Sequence, residues 1–93
     1  MTKRTVILDV DTGHDDAVAI MMAGRSRTLR LDAVTVTAGN QTLDKTLRNT
    51  LNVCSALSLK VPVYPGMRGP LLRPLEPAPL IHGESGLDGP KFP

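Results

Sequence analysis

Apolar positions fall into two alternating rhythms as far as residue 64. Thr5-Val6-Ile7-Leu8-Asp9-Val10-Asp11 is a short run rich in β-branched residues, and it reads as a strand buried on both faces. Thr12-Gly13-His14 breaks the run. Asp15 to Ala23 is rich in Ala and Met, opens on acids and closes at Gly24, so the pattern predicts a helix with start and stop signals. Leu31 to Ala38 predicts a second strand, closed by Gly39-Asn40. Thr42 stands as the cap of a second helix. Along that helix Leu43, Leu47, Leu51, Cys54 and Leu57 recur at spacings of four, four, three and three, which puts them on one face. Val61-Pro62-Val63-Tyr64 predicts a third, shorter strand.

Strand–helix–strand–helix–strand order predicts an α/β fold with a parallel sheet and right-handed crossovers. Ligands of such sheets bind at the carboxyl ends of the strands. Asp11 ends the first strand and Asn40 follows the second, so neighbouring strands would face both residues into one crevice. Proline divides the organisation: all eight prolines lie between Pro62 and Pro93. Residues 1–64 are therefore read as a βαβαβ unit. Residues 65–93 are a long Pro/Gly-rich stretch without periodicity, either a functional loop or a segment whose packing partner lies elsewhere.

Composition narrows this picture. A chain of 93 residues is one small domain or part of a larger one. Its only aromatics are Tyr64 and Phe92, so the core must be aliphatic, with Met21, Met22 and Cys54 read as core residues. The net charge of +2 is too small to argue for nucleic acid, and no run of Lys or Arg adds to it. The single cysteine excludes an internal disulfide framework and a Cys-based zinc cluster. The longest apolar run, Ala17 to Ala23, is far short of a membrane span. Asp9 and Asp11 interrupt the apolar stretch after Lys3-Arg4, which spoils it as a signal-peptide core. The expectation is a soluble, cytoplasmic chain with no membrane or nucleic-acid partner.

The chemistry concentrates in Asp9-Val10-Asp11-Thr12-Gly13-His14-Asp15-Asp16, where four of the nine acids fall within eight residues. On a strand Asp9 and Asp11 point the same way. Asp15 and Asp16 open the next helix, whose dipole favours anions, and the turn folds the two pairs toward each other. Two carboxylates ~4 Å apart repel by about 4 kcal/mol at an effective dielectric near 20, and a helix terminus offsets only ~0.3–1 kcal/mol of that per charge. The cluster therefore calls for a cation or shared protons, and oxygen-only ligands suit calcium or magnesium. With no phosphate-binding loop beside it, the set leans toward calcium. The EF-hand pattern fails, because Gly13 and His14 occupy its fifth and sixth places. Gly13 and Gly39 permit tight turns close to a ligand, and His14 and Thr12 read as turn residues.

Two resemblances follow from these residues. Asp9-Val10-Asp11 resembles the aspartate motif of haloacid-dehalogenase-like phosphatases, although Gly13 and the Asp15-Asp16 pair depart from it. The fuller match is to the inosine/uridine-type nucleoside hydrolases. Val6-Ile7-Leu8-Asp9-Val10-Asp11-Thr12-Gly13-His14-Asp15-Asp16-Ala17 resembles that family's amino-terminal motif, and Ala38-Gly39-Asn40-Gln41-Thr42 its second block. Pro62-Val63-Tyr64-Pro65-Gly66 is similar to the third block and Ile81-His82-Gly83-Glu84-Ser85-Gly86-Leu87-Asp88-Gly89 to the fourth. The wording of the second and fourth blocks is most similar to the bacterial pyrimidine-preferring ribonucleoside hydrolases.

The resemblance implies the amino-terminal part of a Rossmann-like, mostly parallel sheet, followed by an active-site loop over residues 65–93. It implies hydrolysis of the N-glycosidic bond of pyrimidine, and also purine, ribonucleosides to ribose and free base, by calcium-bound water activated by an Asp. By position Asp11 and Asp16, with Asp15, would form the calcium site. Asp11 would also take the proton of the attacking water. Asp15 would bind ribose hydroxyls with Asn40 assisting, and His82 would lie beside the base or leaving group as a catalytic and substrate-binding residue. Asp9 and Gly13 would support the site, while Glu84 and Asp88 stay open between substrate binding and solvation. Complete members are several times longer and form homodimers or homotetramers. The expectation for 1–93 is thus a partial domain, incomplete at its carboxyl end and inactive alone. The alternatives are a non-catalytic remnant or interaction module of a broken gene, and a haloacid-dehalogenase-like phosphatase fragment.

Overall fold

The structure is a computed structural model and describes residues 2–69. Within them the chain runs β1 (Arg4–Val10), α1 (His14–Arg25), β2 (Leu29–Val36), α2 (Leu43–Ala56) and β3 (Val63–Pro65). The strands form one parallel sheet in the order β1-β2-β3. The βαβαβ order, the parallel sheet and the adjacency of the first two strands are as the sequence predicts. Right-handed crossovers in this strand order put both helices on one face, and α1 indeed touches both β2 and α2.

The register pairs Val10 with Val36, so both strands end level, and Val36 in turn pairs with Pro65. A bulge between Val6 and Ile7 leaves Asp32 between the partners Leu31 and Ala33. Asp32 faces solvent, where it pairs with Arg30 at 3.4 Å. Pro65 is tolerated in β3 because that strand lies at the edge of the described sheet.

The core is aliphatic. Val10, Ile20, Val34, Val36, Leu43, Val53 and Cys54 are buried together, with Leu8, Ala17, Leu31 and Leu47 packed against them. Four details differ from the sequence reading. β1 is covered on one face: Val6, Leu8 and Val10 turn toward the helices while Ile7 is 64% exposed, because both helices lie on the same side. Met21 and Met22 are exposed, the latter at 70%, since they fall on the outer side of α1. On α2 Leu43, Leu47, Cys54 and Leu57 face the core as predicted, but Leu51 is exposed, and Thr46, Asn49, Thr50 and Val53 are buried beside them. Gly24 does not stop α1, which continues to Arg25. A β-carbon at Gly24 would meet Leu59 Cδ2 at 2.9 Å, so that glycine serves the close approach of α1 to the chain after α2.

Helix α2 ends in a Schellman motif. Ser58 takes the left-handed conformation (φ 55°) and its N–H donates to the Ser55 carbonyl at 3.0 Å. The Leu59 N–H reaches back to the Cys54 carbonyl at 2.9 Å. The Arg25 guanidinium donates to the Leu57 carbonyl, which adds a cation at the same helix terminus. Thr42 occupies the N-cap position of α2, as expected, but its side chain makes no capping bond there. Among the described residues no helix is long and apolar enough to cross a membrane.

Candidate active site

The loops that follow β1 and β2 meet at the carboxyl end of the sheet. The Thr37 N–H donates to the Val10 carbonyl at 2.8 Å and carries the pairing one step beyond the strands. Asp11 and Asn40 come together just past that point. The Asn40 N–H donates to Asp11 Oδ2 at 2.9 Å, and its side-chain Nδ2 donates to the Asp11 carbonyl. The Asp11 N–H in turn donates to Asp16 Oδ2 at 3.1 Å. Asp11 is therefore held through its amide, its carbonyl and its carboxylate. Asp11 and Asn40 thus meet at the ends of the two adjacent strands, as the sequence predicts.

Gly39 is part of this arrangement. A β-carbon there would collide with Asp11 Oδ2 and lie 3.0 Å from its Cβ and Cγ. Real β-carbons do not approach so closely, so glycine is what lets the second loop close over the Asp11 side chain. Gly13, buried, is the N-cap position of α1 and adopts an extended conformation.

Burial raises the Asp16 carboxyl from its ordinary 3.8 to about 6, and the neighbouring Asp11 and Asp15 charges push the same way. Between these two values the folded chain keeps a proton that the unfolded chain has released. Stability from this group therefore falls as pH rises from about 4 to about 6 and is level above that window. Denaturant titrations in a chelator should show that decline, and an Asp16→Asn variant should lack it.

The other predicted residues are placed as follows. Asp15 is exposed in the first turn of α1. Asp9 is exposed on β1 and accepts a hydrogen bond from Thr35 Oγ1 at 2.8 Å across the strand pair. His14, also exposed, opens α1. His82, Glu84 and Asp88 lie outside the described residues.

A hard cation can be tested against these donors. Asp11 and Asp16 lie side by side, with Asp16 held above its ordinary pKa by burial and by the neighbouring Asp11 and Asp15. Asn40 Oδ1 is buried and has no hydrogen-bond partner among the described residues. Its orientation is fixed, because the amide nitrogen of the same side chain is committed to Asp11. An orphaned buried oxygen costs about 1–3 kcal/mol unless something answers it. This oxygen set fits part of the 6–8-oxygen shell that calcium takes. Among the described residues no group of three or more His, Cys, Asp or Glu could hold a metal ion. Further ligands would have to come from other oxygens.

Sequence reasoning missed the polar layer behind the site. Thr12, Thr46 and Thr50 are fully buried, and Asn49 and Gln41 nearly so. The signal was present as Thr46, Asn49 and Thr50 at helical spacings of three and four. The predicted apolar face of α2 is borne out at Leu43, Leu47, Cys54 and Leu57 and fails at Leu51, and the polar residues beside it were passed over.

The family model for "Inosine-uridine preferring nucleoside hydrolase" matches residues 6–93. A pyrimidine-specific ribonucleoside hydrolase, RihB, of Escherichia coli (strain K12 / DH10B) is 59% identical over 92 residues, 99% of this chain and 29% of its own length. RihB of Escherichia fergusonii matches to the same extent, 59% over 92 residues. Among solved structures, the purine-preferring ribonucleoside hydrolase from Gardnerella vaginalis superposes with a TM-score of 0.88 at 33% identity, covering 97% of this chain and 30% of that one. An inosine-guanosine nucleoside hydrolase superposes with a TM-score of 0.84 at 30% identity, over 97% of this chain and 28% of its own. The chain thus spans about 29% of the length of the curated relatives it matches.

Proposed function

The chain belongs to the inosine-uridine preferring nucleoside hydrolase family, and from that premise we propose that it supplies the acidic half of a calcium-dependent ribonucleoside hydrolase site. The reaction splits the C1′–N bond of the nucleoside. Water adds its oxygen to C1′, one of its protons goes to a base, and the departing nucleobase nitrogen takes up a proton. The observation that carries this reading is the meeting of Asp11, Asp16 and Asn40 at the ends of β1 and β2.

Asp11 and Asp16 would hold the calcium ion together with oxygens from outside the described residues, and the expected third carboxylate, Asp15, does not group with them. Bound there, the ion supplies orientation of a water and easier loss of its proton. The Asp11 carboxylate is the proton acceptor. Its Oδ2 is steadied by the Asn40 amide, which keeps the side chain from swinging away. Asp15, exposed at the helix start, binds ribose hydroxyls, with Asn40 assisting. The carboxylates also stabilise the positive charge that develops on the sugar as the glycosidic bond breaks. His82 acts beside the leaving base, and Asp9 and Gly13 support the loop.

The 59% identity to a pyrimidine-specific relative supports uridine and cytidine as preferred substrates. This reading has the complete enzyme as a cytoplasmic homodimer or homotetramer acting on a small molecule rather than on nucleic acid or membrane. It has residues 1–93 alone inactive. The test is a graft in which this segment replaces the matching 29% of the Escherichia coli relative. The graft should release uracil from uridine, lose that activity in chelator and regain it with calcium, while the 93-residue chain alone releases none. A graft that turns over equally well after exhaustive chelation would refute the metal, and active 1–93 would refute the division of the site.

A further inference from the structure

We propose that Asn49 and Thr50 of α2 are positioning residues: together they lock Thr12 against the helix and thereby fix the neighbouring Asp11 carboxylate opposite Asn40. The inference rests on the calcium-dependent hydrolase reading for its purpose, and on the hydrogen bonds of α2 for its mechanism.

The direction of each bond follows from counting protons. The Thr50 hydroxyl has one proton, and it goes to the Thr46 carbonyl at 2.8 Å. Thr50 Oγ1 lies 2.7 Å from Thr12 Oγ1, so in this second bond Thr12 is the donor and Thr50 the acceptor. Asn49 Nδ2 donates to the Thr12 carbonyl at 3.2 Å. The residue after Asp11 is thus held twice from one helical turn, through its side chain and through its peptide. Thr46, one turn earlier, donates its own hydroxyl proton between the Leu43 carbonyl at 3.1 Å and the Thr37 carbonyl at 3.0 Å. Thr37 follows β2 directly and leads into the Gly39-Asn40 loop. One polar stripe therefore grips the exits of both strands that carry the site.

Stability alone does not explain this choice of residues. Thr12, Thr46 and Thr50 are completely buried. Replacing both partners of a buried polar pair with apolar groups of the same shape is often neutral or stabilising. What apolar side chains cannot give is direction. A hydroxyl or amide that must find its partner fixes the loop's register along the helix, whereas methyl groups would let it slide.

The experiment uses the 93-residue chain, with calcium ion alone as the probe. Thr50→Val is isosteric and removes the acceptor for Thr12. Thr12→Val removes the same bond from the other side and leaves Thr50 bonded to Thr46. Thr50→Ser keeps the hydroxyl. Backbone amide exchange is followed by NMR at Asp11 and Asn40, whose N–H groups are bonded within the site, and at Val34, whose N–H is bonded to the Pro62 carbonyl in the sheet. Both valine variants should exchange about tenfold faster at Asp11 and Asn40, with Val34 within about twofold of the parent, and should bind calcium about tenfold more weakly. Thr50→Ser should match the parent in both respects. The proposal is overturned if either folded valine variant leaves site exchange as in the parent, or if exchange accelerates equally at Val34, the mark of general loosening. Should Thr50→Val fail to fold, Thr12→Val decides. Should the parent chain take up no calcium at millimolar concentration, the metal reading fails separately, and the exchange pattern alone decides the positioning role.

Discussion

Replacing Asp11 with Asn in the grafted hydrolase is expected to lower uridine hydrolysis by about a thousandfold. Asn has the shape of Asp and offers one carbonyl oxygen, so the Asn40 N–H at 2.9 Å keeps its acceptor and the loop keeps its form. Two things are lost. The neutral amide cannot take a proton from water, and general base catalysis is worth about 10²–10⁴ in rate. It also removes one of the two adjacent negative charges that would hold calcium, so the metal affinity should fall with it. The same substitution relieves Asp16: without the Asp11 carboxylate its pKa should move down from about 6, though burial keeps it above its ordinary value. Chromatographic release of uracil, a calcium titration and an NMR titration of Asp16 read these three effects. A rate within tenfold of the parent graft would remove Asp11 from the chemistry.

Gly39→Ala should be nearly as damaging, about a hundredfold in kcat/KM, without any change of charge. The added methyl group has no room beside the Asp11 carboxylate, whose Cγ would stand 3.0 Å away. The carboxylate must move, because the obstacle is the side chain itself and the β2 exit is pinned through Thr37. Moving it also deprives the Asn40 N–H of its acceptor. A displacement of about 1 Å at a reacting group can cost on the order of 10² in rate. Thermal unfolding should shift only modestly, since Gly39 lies in a loop after β2 and outside the apolar core. Rates within threefold of the parent would show that the loop relaxes around the methyl group.

The βαβαβ order was readable because each rhythm of apolar residues has a distinct physical cause. The meeting of Asp11 with Asn40 was readable because adjacent parallel strands end on the same side. The limits were equally physical. An apolar run such as Val6-Ile7-Leu8 marks a strand without saying whether one face or both are covered, and Ile7 is open because both helices lie opposite it. On α2 Leu43 and Leu47 face the core and Leu51 does not, while Thr46, Asn49 and Thr50 are buried at spacings of three and four beside them. Threonine hides from a hydropathy reading, since its burial depends on carbonyl acceptors that only the folded chain supplies. Gly24 resembled a terminator because sequence shows a missing side chain, not the Leu59 that occupies its space. The Asn40 orphan oxygen has no sequence signal at all.

The hydroxyl-bearing inner side of α2 sets a limit on engineering. Stabilising changes commonly gain about 0.5–2 kcal/mol each, and exchanging a buried polar pair for apolar groups of the same shape can be one of them. On the positioning role proposed above, that recipe applied to Thr46, Thr50 or Asn49 would trade turnover for heat resistance. Leu51, Met21 and Met22 lie outside that polar layer and are exposed in this chain.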